Sequence, residues 1–237
     1  MKKIRSIFCL ILIICMGIIF VGCDKSEVQL PSNPNAPTRE QLLADIEKDR
    51  GATLQLSEKN YGKVTIDKNF DFDGISNYVR IDVKDYGSIT LLIRPDVAPK
   101  TVNNFKKLAL EGFYEGLIFH RAIKGLMIEG GEQDTDHVIH DSDMIYGEFA
   151  DNNFTNNLPH IKGVISMSRK NIPDSAMGSF FIVCGDAPQL DSRYAAFGYV
   201  IDGMDTVEKI ESAEVGSNDA PLSEIVIEKI VFLEIGE

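Results

Sequence analysis

The run FHRAIKGLMIEGG, Phe119 to Gly131, sets an arginine and a glutamate inside an otherwise apolar stretch. Side chains alternate between the two faces of a strand, so Phe119, Arg121 and Ile123 share one face of the first half. Met127 and Glu129 share one face of the second half, after a turn at Gly125. A guanidinium, a thioether and a carboxylate then line one groove, where the guanidinium can make charge-assisted hydrogen bonds or sit in a structural ion pair. By the same alternation His120 points away from Arg121 and reads as a structural histidine. Cys184 reads as a small buried apolar residue. Two further clusters suggest metal chemistry. Asn69-x-Asp71-x-Asp73-Gly74 imitates the start of a calcium loop, but Arg80 stands where the bidentate glutamate belongs. The run DTDHVIHDSD, Asp134 to Asp143, offers two histidines and four aspartates, and nothing in it fixes a ligand geometry, so it reads as a solvated acidic loop. No metal and no cofactor is expected.

The elements that must hold the groove are short. YVRIDV, GSITLLIR, LIFHRAI, LMIEG, GVISMSR, SFFIVC, AAFGYVI and EIVIEKIVFLE are β-branched or aromatic runs separated by Gly, Asp, Asn and Pro, which is the pattern of an all-β barrel or sandwich. Two helices interrupt them. One follows Asp96, with Pro99 in its first turn, Val102, Phe105 and Leu108-Ala109 facing inward, and Gly112 past its end. The other runs from about Asp205 to Ser212, with Val207 and Ile210 buried. Upstream, Thr38 and Gln41 form a T-x-x-Q capping box for a helix from about Arg39 to Asp49, with Leu42, Leu43 and Ile46 as its apolar stripe and Gly51 at its end. Between Ala52 and Asn77 only the fragments TLQL and KVTI look like strands.

At 237 residues and 44% hydrophobic, the chain can bury one substantial core. MKKIRS, the apolar run IFCLILIICMGIIF and the closing Val21-Gly22-Cys23 resemble a bacterial lipoprotein signal peptide, residues 1–22, with Cys23 the acylated residue. Residues 23–37, rich in Ser, Asn and Pro, read as a flexible tether, residues 38–77 as an extension with a short helix, and residues 78–237 as the main domain. Cys9 and Cys15 leave with the signal and Cys23 carries lipid, so Cys184 has no intrachain disulfide partner. Removing Lys2, Lys3 and Arg5 leaves 21 basic against 36 acidic residues, a formal charge of −15. That balance argues against nucleic acid or anionic lipid as a direct partner. A monomer is expected.

The blocks APKTVNNFKKLALEGFYEGLIFHRAIKGLMIEGG, YGEFADNNF, GVISMSR, GSFFIV and LDSRYAAFGYVIDGM, in this order, resemble the cyclophilin family of peptidyl-prolyl isomerases across roughly Tyr78 to Gly236. The resemblance implies a mainly β fold, an eight-stranded antiparallel closed barrel capped by two helices. Together with the signal-peptide resemblance it implies an extracytoplasmic, membrane-anchored isomerase acting on proline-containing segments of secreted or surface proteins. Arg121 matches the family arginine that donates to the prolyl nitrogen. Leu126, Met127, Phe181, Leu190 and Tyr194 match the pocket, Leu126 replacing a phenylalanine. Ser168 and Arg169 replace an Ala-Asn pair whose backbone receives the substrate strand. Glu129 and Ser179 stand where glutamines are usual, and Gln189 stands where a tryptophan is associated with tight cyclosporin binding. An ionised Glu129 paired with Arg121 would engage the guanidinium before substrate arrives. The alternative reading is therefore a non-catalytic binder or holdase of proline segments on the same fold.

Overall fold

A computed structural model describes residues 36–62, 64–132 and 144–236. Among them are three α-helices and nine strands: α1 (Arg39–Arg50), β1 (Leu56–Lys59), β2 (Tyr78–Val83), β3 (Gly87–Ile93), α2 (Pro99–Leu110), β4 (Ile118–Ile123), β5 (Met127–Glu132), β6 (Val164–Met167), β7 (Phe180–Val183), β8 (Ala196–Asp202), α3 (Met204–Glu211) and β9 (Ile227–Ile235). The strands form one antiparallel sheet in the order β1-β9-β2-β3-β8-β6-β7-β5-β4. The signal segment, Cys23, the tether up to residue 35 and the histidine–aspartate loop at 134–143 lie outside the described residues.

The expected eight strands are nine among the described residues, and closure into a barrel is not detected. A ninth strand comes from the 38–77 extension: β1 pairs along the second half of β9, from Leu56 opposite Ile235 to Lys59 opposite Phe232. That edge of β9 is thereby occupied. β4 meets the start of β9 only at the bridge Ile118–Val226, flanked by Phe119 N–H to Ile225 O at 2.9 Å and Ile227 N–H to Leu117 O at 2.7 Å. No continuous ladder joins the two strands among the described residues. Val64 to Ile66 of the fragment KVTI are not in a strand, and TLQL contributes only its last residue to one.

Local chemistry explains the helices. Thr38 Oγ1 accepts from the Gln41 amide at 3.2 Å while Gln41 Oε1 accepts from the Thr38 amide at 2.8 Å, the reciprocal capping pair that starts α1. Leu42 and Ile46, one turn apart, are buried, whereas Leu43 is rotated off that face and exposed. α2 begins at Pro99 without a side-chain cap of its own. Buried Glu148 caps it from a distance, its carboxylate accepting from the amides of Lys100 at 3.0 Å and Thr101 at 2.8 Å. Burial raises the Glu148 pKa, and these amides oppose the rise.

Two apolar clusters divide the interior. The larger holds Val79, Ile81, Ile89 and Leu91 with Phe105, Tyr114, Phe119, Phe180 and Phe197. Phe180 stands edge-on to Phe105 and Phe119, with centroids 5.9 and 6.0 Å apart. The smaller lies on the other face of the sheet and joins Leu42 and Ile46 of α1 to Met127, Phe181, Val183 and Tyr199. Polar bonds hold α1 there. Arg50 Nη2 donates to Lys162 O at 2.7 Å, the Tyr199 hydroxyl to Asp49 Oδ2 at 2.6 Å, and Arg94 Nη1 to Asp45 Oδ2 at 2.9 Å.

Candidate active site

The β4–β5 hairpin turns at Gly125, whose φ of 75° is left-handed and suits glycine. Its ladder is irregular: Phe119 opposes Gly130, yet Arg121 opposes Glu129, so His120 is an inserted residue. The insertion overturns the shared face expected for Phe119 and Arg121. Phe119 turns into the larger core, while Arg121 remains half-exposed on the outer face. Gly130 makes room for it, since a Cβ there would stand 2.9 Å from the Phe119 ring. His120 does not point away from Arg121. It lines the same pocket, with Nε2 at 3.9 Å from Glu129 Oε2.

Pairing registers place Arg121, Glu129, Phe181 and Ser166 opposite one another across β4, β5, β7 and β6. Strands lie about 4.8 Å apart, so the arginine and the phenylalanine are separated by roughly two strand spacings. Alternation along β7 holds: Phe180 and Ile182 enter the larger core and Phe181 the smaller cluster. Met127 and Phe181 are nearly buried there, with Leu126, Leu190 and Tyr194 partly buried beside them. Tyr194 meets Phe181 edge-on at 5.5 Å. The Arg169 guanidinium covers Tyr194 at 4.9 Å and Phe149 at 5.0 Å, a cation–π bracket at the rim. Ser168 donates its amide to Ser179 O at 2.9 Å, and its hydroxyl to Glu129 Oε1. Ser179 is half-buried, and Gln189 is exposed on the short 3₁₀ turn Pro188–Leu190.

Arg121 is held mainly by a residue the sequence did not single out. Its Nη2 and Nε donate to Asp219 Oδ2 at 3.2 and 3.4 Å, whereas Nη1 stands 3.8 Å from Glu129 Oε2. Asp219 lies 98 positions away, in the turn Ser217–Asp219, where Asn218 and Asp219 both have φ of 60°. His120, Arg121, Glu129, Asn218, Asp219 and Ala220 line an open depression of about 450 Å³. The Gly-Ser-Asn-Asp run signals a turn, but nothing local directs it at the arginine.

A second polar chain went unforeseen. Arg39 of α1 bonds Asp191 at 2.9 Å, Asp191 meets His160 Nδ1 at 3.0 Å, and His160 Nε2 meets Ser166 Oγ at 3.0 Å. Ser166 is fully buried, which bars it from acting as a nucleophile. The His160 ring stacks on Phe181 at 6.0 Å, which ties the chain to a residue of the pocket floor. Burial holds His160 below the ordinary imidazole range, and Asp191 pulls it partly back.

This fold and arrangement define a cyclophilin-like isomerase scaffold, and comparison with known proteins agrees. The family model described as cyclophilin type peptidyl-prolyl cis-trans isomerase/CLD matches residues 78–232. A chain named as a peptidyl-prolyl cis-trans isomerase from Staphylococcus saprophyticus is 34% identical over 176 residues, covering 62% of this chain and 88% of the relative. One so named from Brucella abortus is 36% identical over 150 residues, covering 61% and 76%. A crystal structure of a cyclophilin type isomerase from Cryptosporidium parvum, in the presence of the dipeptide Ala-Pro, superposes with a TM-score of 0.57 at 28% identity, covering 65% of this chain and 98% of that one. The chain belongs to the cyclophilin-type peptidyl-prolyl cis-trans isomerase family, and its enzymatic activity is that isomerisation.

Proposed function

We propose that Arg121 supplies the hydrogen bond to the prolyl nitrogen and that the apolar cluster around Met127, Phe181, Leu126, Leu190 and Tyr194 receives the ring. The observation that carries this reading is the cross-strand row Arg121–Glu129–Phe181, which puts a half-exposed guanidinium and an apolar floor on one face of the sheet. Rotation about an X-Pro bond breaks amide resonance over a barrier of ~18–20 kcal/mol and takes on the order of tens to hundreds of seconds uncatalysed. As the bond twists, the nitrogen lone pair becomes basic, and a donor aimed at it stabilises the transition state more than the ground state. Ser168, Arg169, Ser179 and Gln189 border the groove, with Glu129 beside the arginine.

The chain works outside the cytoplasm, anchored through lipid on Cys23, on proline-containing segments of secreted or surface proteins. The basic, apolar and V-G-C succession at residues 1–23 supports this, as does the Ser/Asn/Pro-rich stretch that follows. Two experiments test the reading. The chain from residue 24 onward should accelerate cis-to-trans conversion of an X-Pro peptide in a protease-coupled assay; an unchanged rate at stoichiometric protein rejects the catalytic role. Cys23→Ser should abolish incorporation of labelled fatty acid, and undiminished labelling rejects the anchor.

A further inference from the structure

We propose that Asp219 is a specificity-determining residue, holding Arg121 in the free protein and favouring proline segments that carry a lysine or arginine beside the proline. The inference rests on the catalytic reading of Arg121. The argument begins with charge. Within one pocket stand one guanidinium and two carboxylates, Arg121 with Glu129 and Asp219, a formal sum of −1. The two carboxylates are not equivalent. Glu129 is only 14% exposed, lies at 3.8 Å and also accepts the Ser168 hydroxyl. Asp219 is 45% exposed, accepts from both Nε and Nη2, and lines the same pocket.

Arg121 can offer Nε or Nη2 to a prolyl nitrogen only by loosening the Asp219 contact, which holds both of these donors and is open to water. Opening it leaves the Asp219 carboxylate without its guanidinium. A neutral substrate provides no replacement, whereas a substrate lysine or arginine restores an ion pair at the same place, so the released carboxylate becomes an attractive contact. An acidic residue there meets two like charges and is disfavoured. The pocket of about 450 Å³ falls within the size range of small-ligand clefts, so it has room for one long side chain.

The test compares matched peptides with Lys, Ala or Glu beside the proline, read by NMR exchange so that no coupling protease imposes its own preference. The variant is Asp219→Asn, because asparagine tolerates the left-handed backbone of residue 219 and removes only the charge. In the wild type, kcat/KM should rank Lys above Ala above Glu, with a Lys/Ala ratio of about three to five, or about 0.6–1 kcal/mol at 1.36 kcal/mol per factor of ten. Asp219→Asn should bring that ratio to about one and raise the rate on the Ala peptide. In 1 M salt, where the screening length falls to about 3 Å, the wild-type ratio should shrink as well. An active Asp219→Asn enzyme with an undiminished Lys/Ala ratio overturns the proposal while leaving Arg121 catalysis standing. If no peptide is turned over, the catalytic reading fails. Peptide affinities from the same titrations then decide the specificity claim, and equal affinity of wild type for the Lys and Glu peptides overturns it.

Discussion

If Arg121 supplies the hydrogen bond to the prolyl nitrogen, its replacement by alanine should separate catalysis from folding, because the two effects differ in size. The guanidinium is 41% exposed and makes ion pairs of 3.2 Å with Asp219 and 3.8 Å with Glu129. Pairs this wet are worth about 0–1 kcal/mol each, and Glu129 keeps its bond from Ser168 when the arginine is gone. The stability loss should therefore be about 1 kcal/mol, or roughly 2–4 °C in Tm for a domain of this size. The catalytic loss is larger. A charge-assisted hydrogen bond to the twisting amide is worth about 1.5–3 kcal/mol, so kcat/KM should fall roughly 10- to 150-fold. A protease-coupled rate assay beside a thermal melt on the same preparation measures both. The reasoning is refuted by a melt lowered by tens of degrees with the rate per folded molecule unchanged, which would make Arg121 a structural ion-pair partner.

Glu129→Gln should raise kcat/KM on an Ala-Pro peptide by no more than about two- to three-fold, because the 3.8 Å pair it removes is the weaker of the two; a loss of activity would mean that the carboxylate orients the arginine instead of restraining it. Leu42→Ala should cost about 2–5 kcal/mol by opening a cavity in the apolar cluster that also holds Phe181 and Met127, and it should raise KM more than it lowers kcat; a destabilised enzyme with unchanged KM would show that α1 does not support the groove. The Lys106 ammonium, buried on α2 and donating to Phe72 O and Ile75 O, is lowered by burial to about 8. Between pH 8 and its unfolded value near 10.4, the unfolded chain holds a proton that the native state has lost, so stability rises with pH. The Cys184 thiol, pushed up to about 12, acts in the opposite sense above about pH 8.5–9. Denaturant melts from pH 8 to 9 should therefore show a gain of up to about 1 kcal/mol that Lys106→Met abolishes; a wild-type slope no steeper than that of the variant refutes it.

Eight of the nine strand segments and all three helices are legible along the chain, because β-branched runs, a capping box and Pro99 are local signals. β1 is not: LSEK carries little pattern of its own, and its place comes from the free edge of β9, more than 170 residues downstream. The lapse at β4 is instructive. Strict alternation assumes one residue opposite one, and a single insertion at His120 reversed the faces of Phe119 and His120 while leaving Arg121 outward. Met127, Phe181, Leu190 and Tyr194 do gather in one cluster. Asp219 and the Arg39–Asp191–His160 chain escaped notice because their partners are joined only by the fold, across 98, 152 and 31 positions.

The helix preceding the family domain has a consequence beyond support. α1 places Leu42 and Ile46 in the same cluster as the residues expected to meet the proline ring, and Arg39 reaches the floor through Asp191 and His160. If that packing carries energy between them, groove and helix share one free energy of coupling. If detaching α1 weakens peptide binding by some factor, a bound peptide must strengthen α1 docking by that same factor, since the cycle has to close. A protein that grips α1 on its exposed side, around Leu43, would then act as an effector of a groove it never touches, and a client in that groove would report its presence to whatever holds the helix.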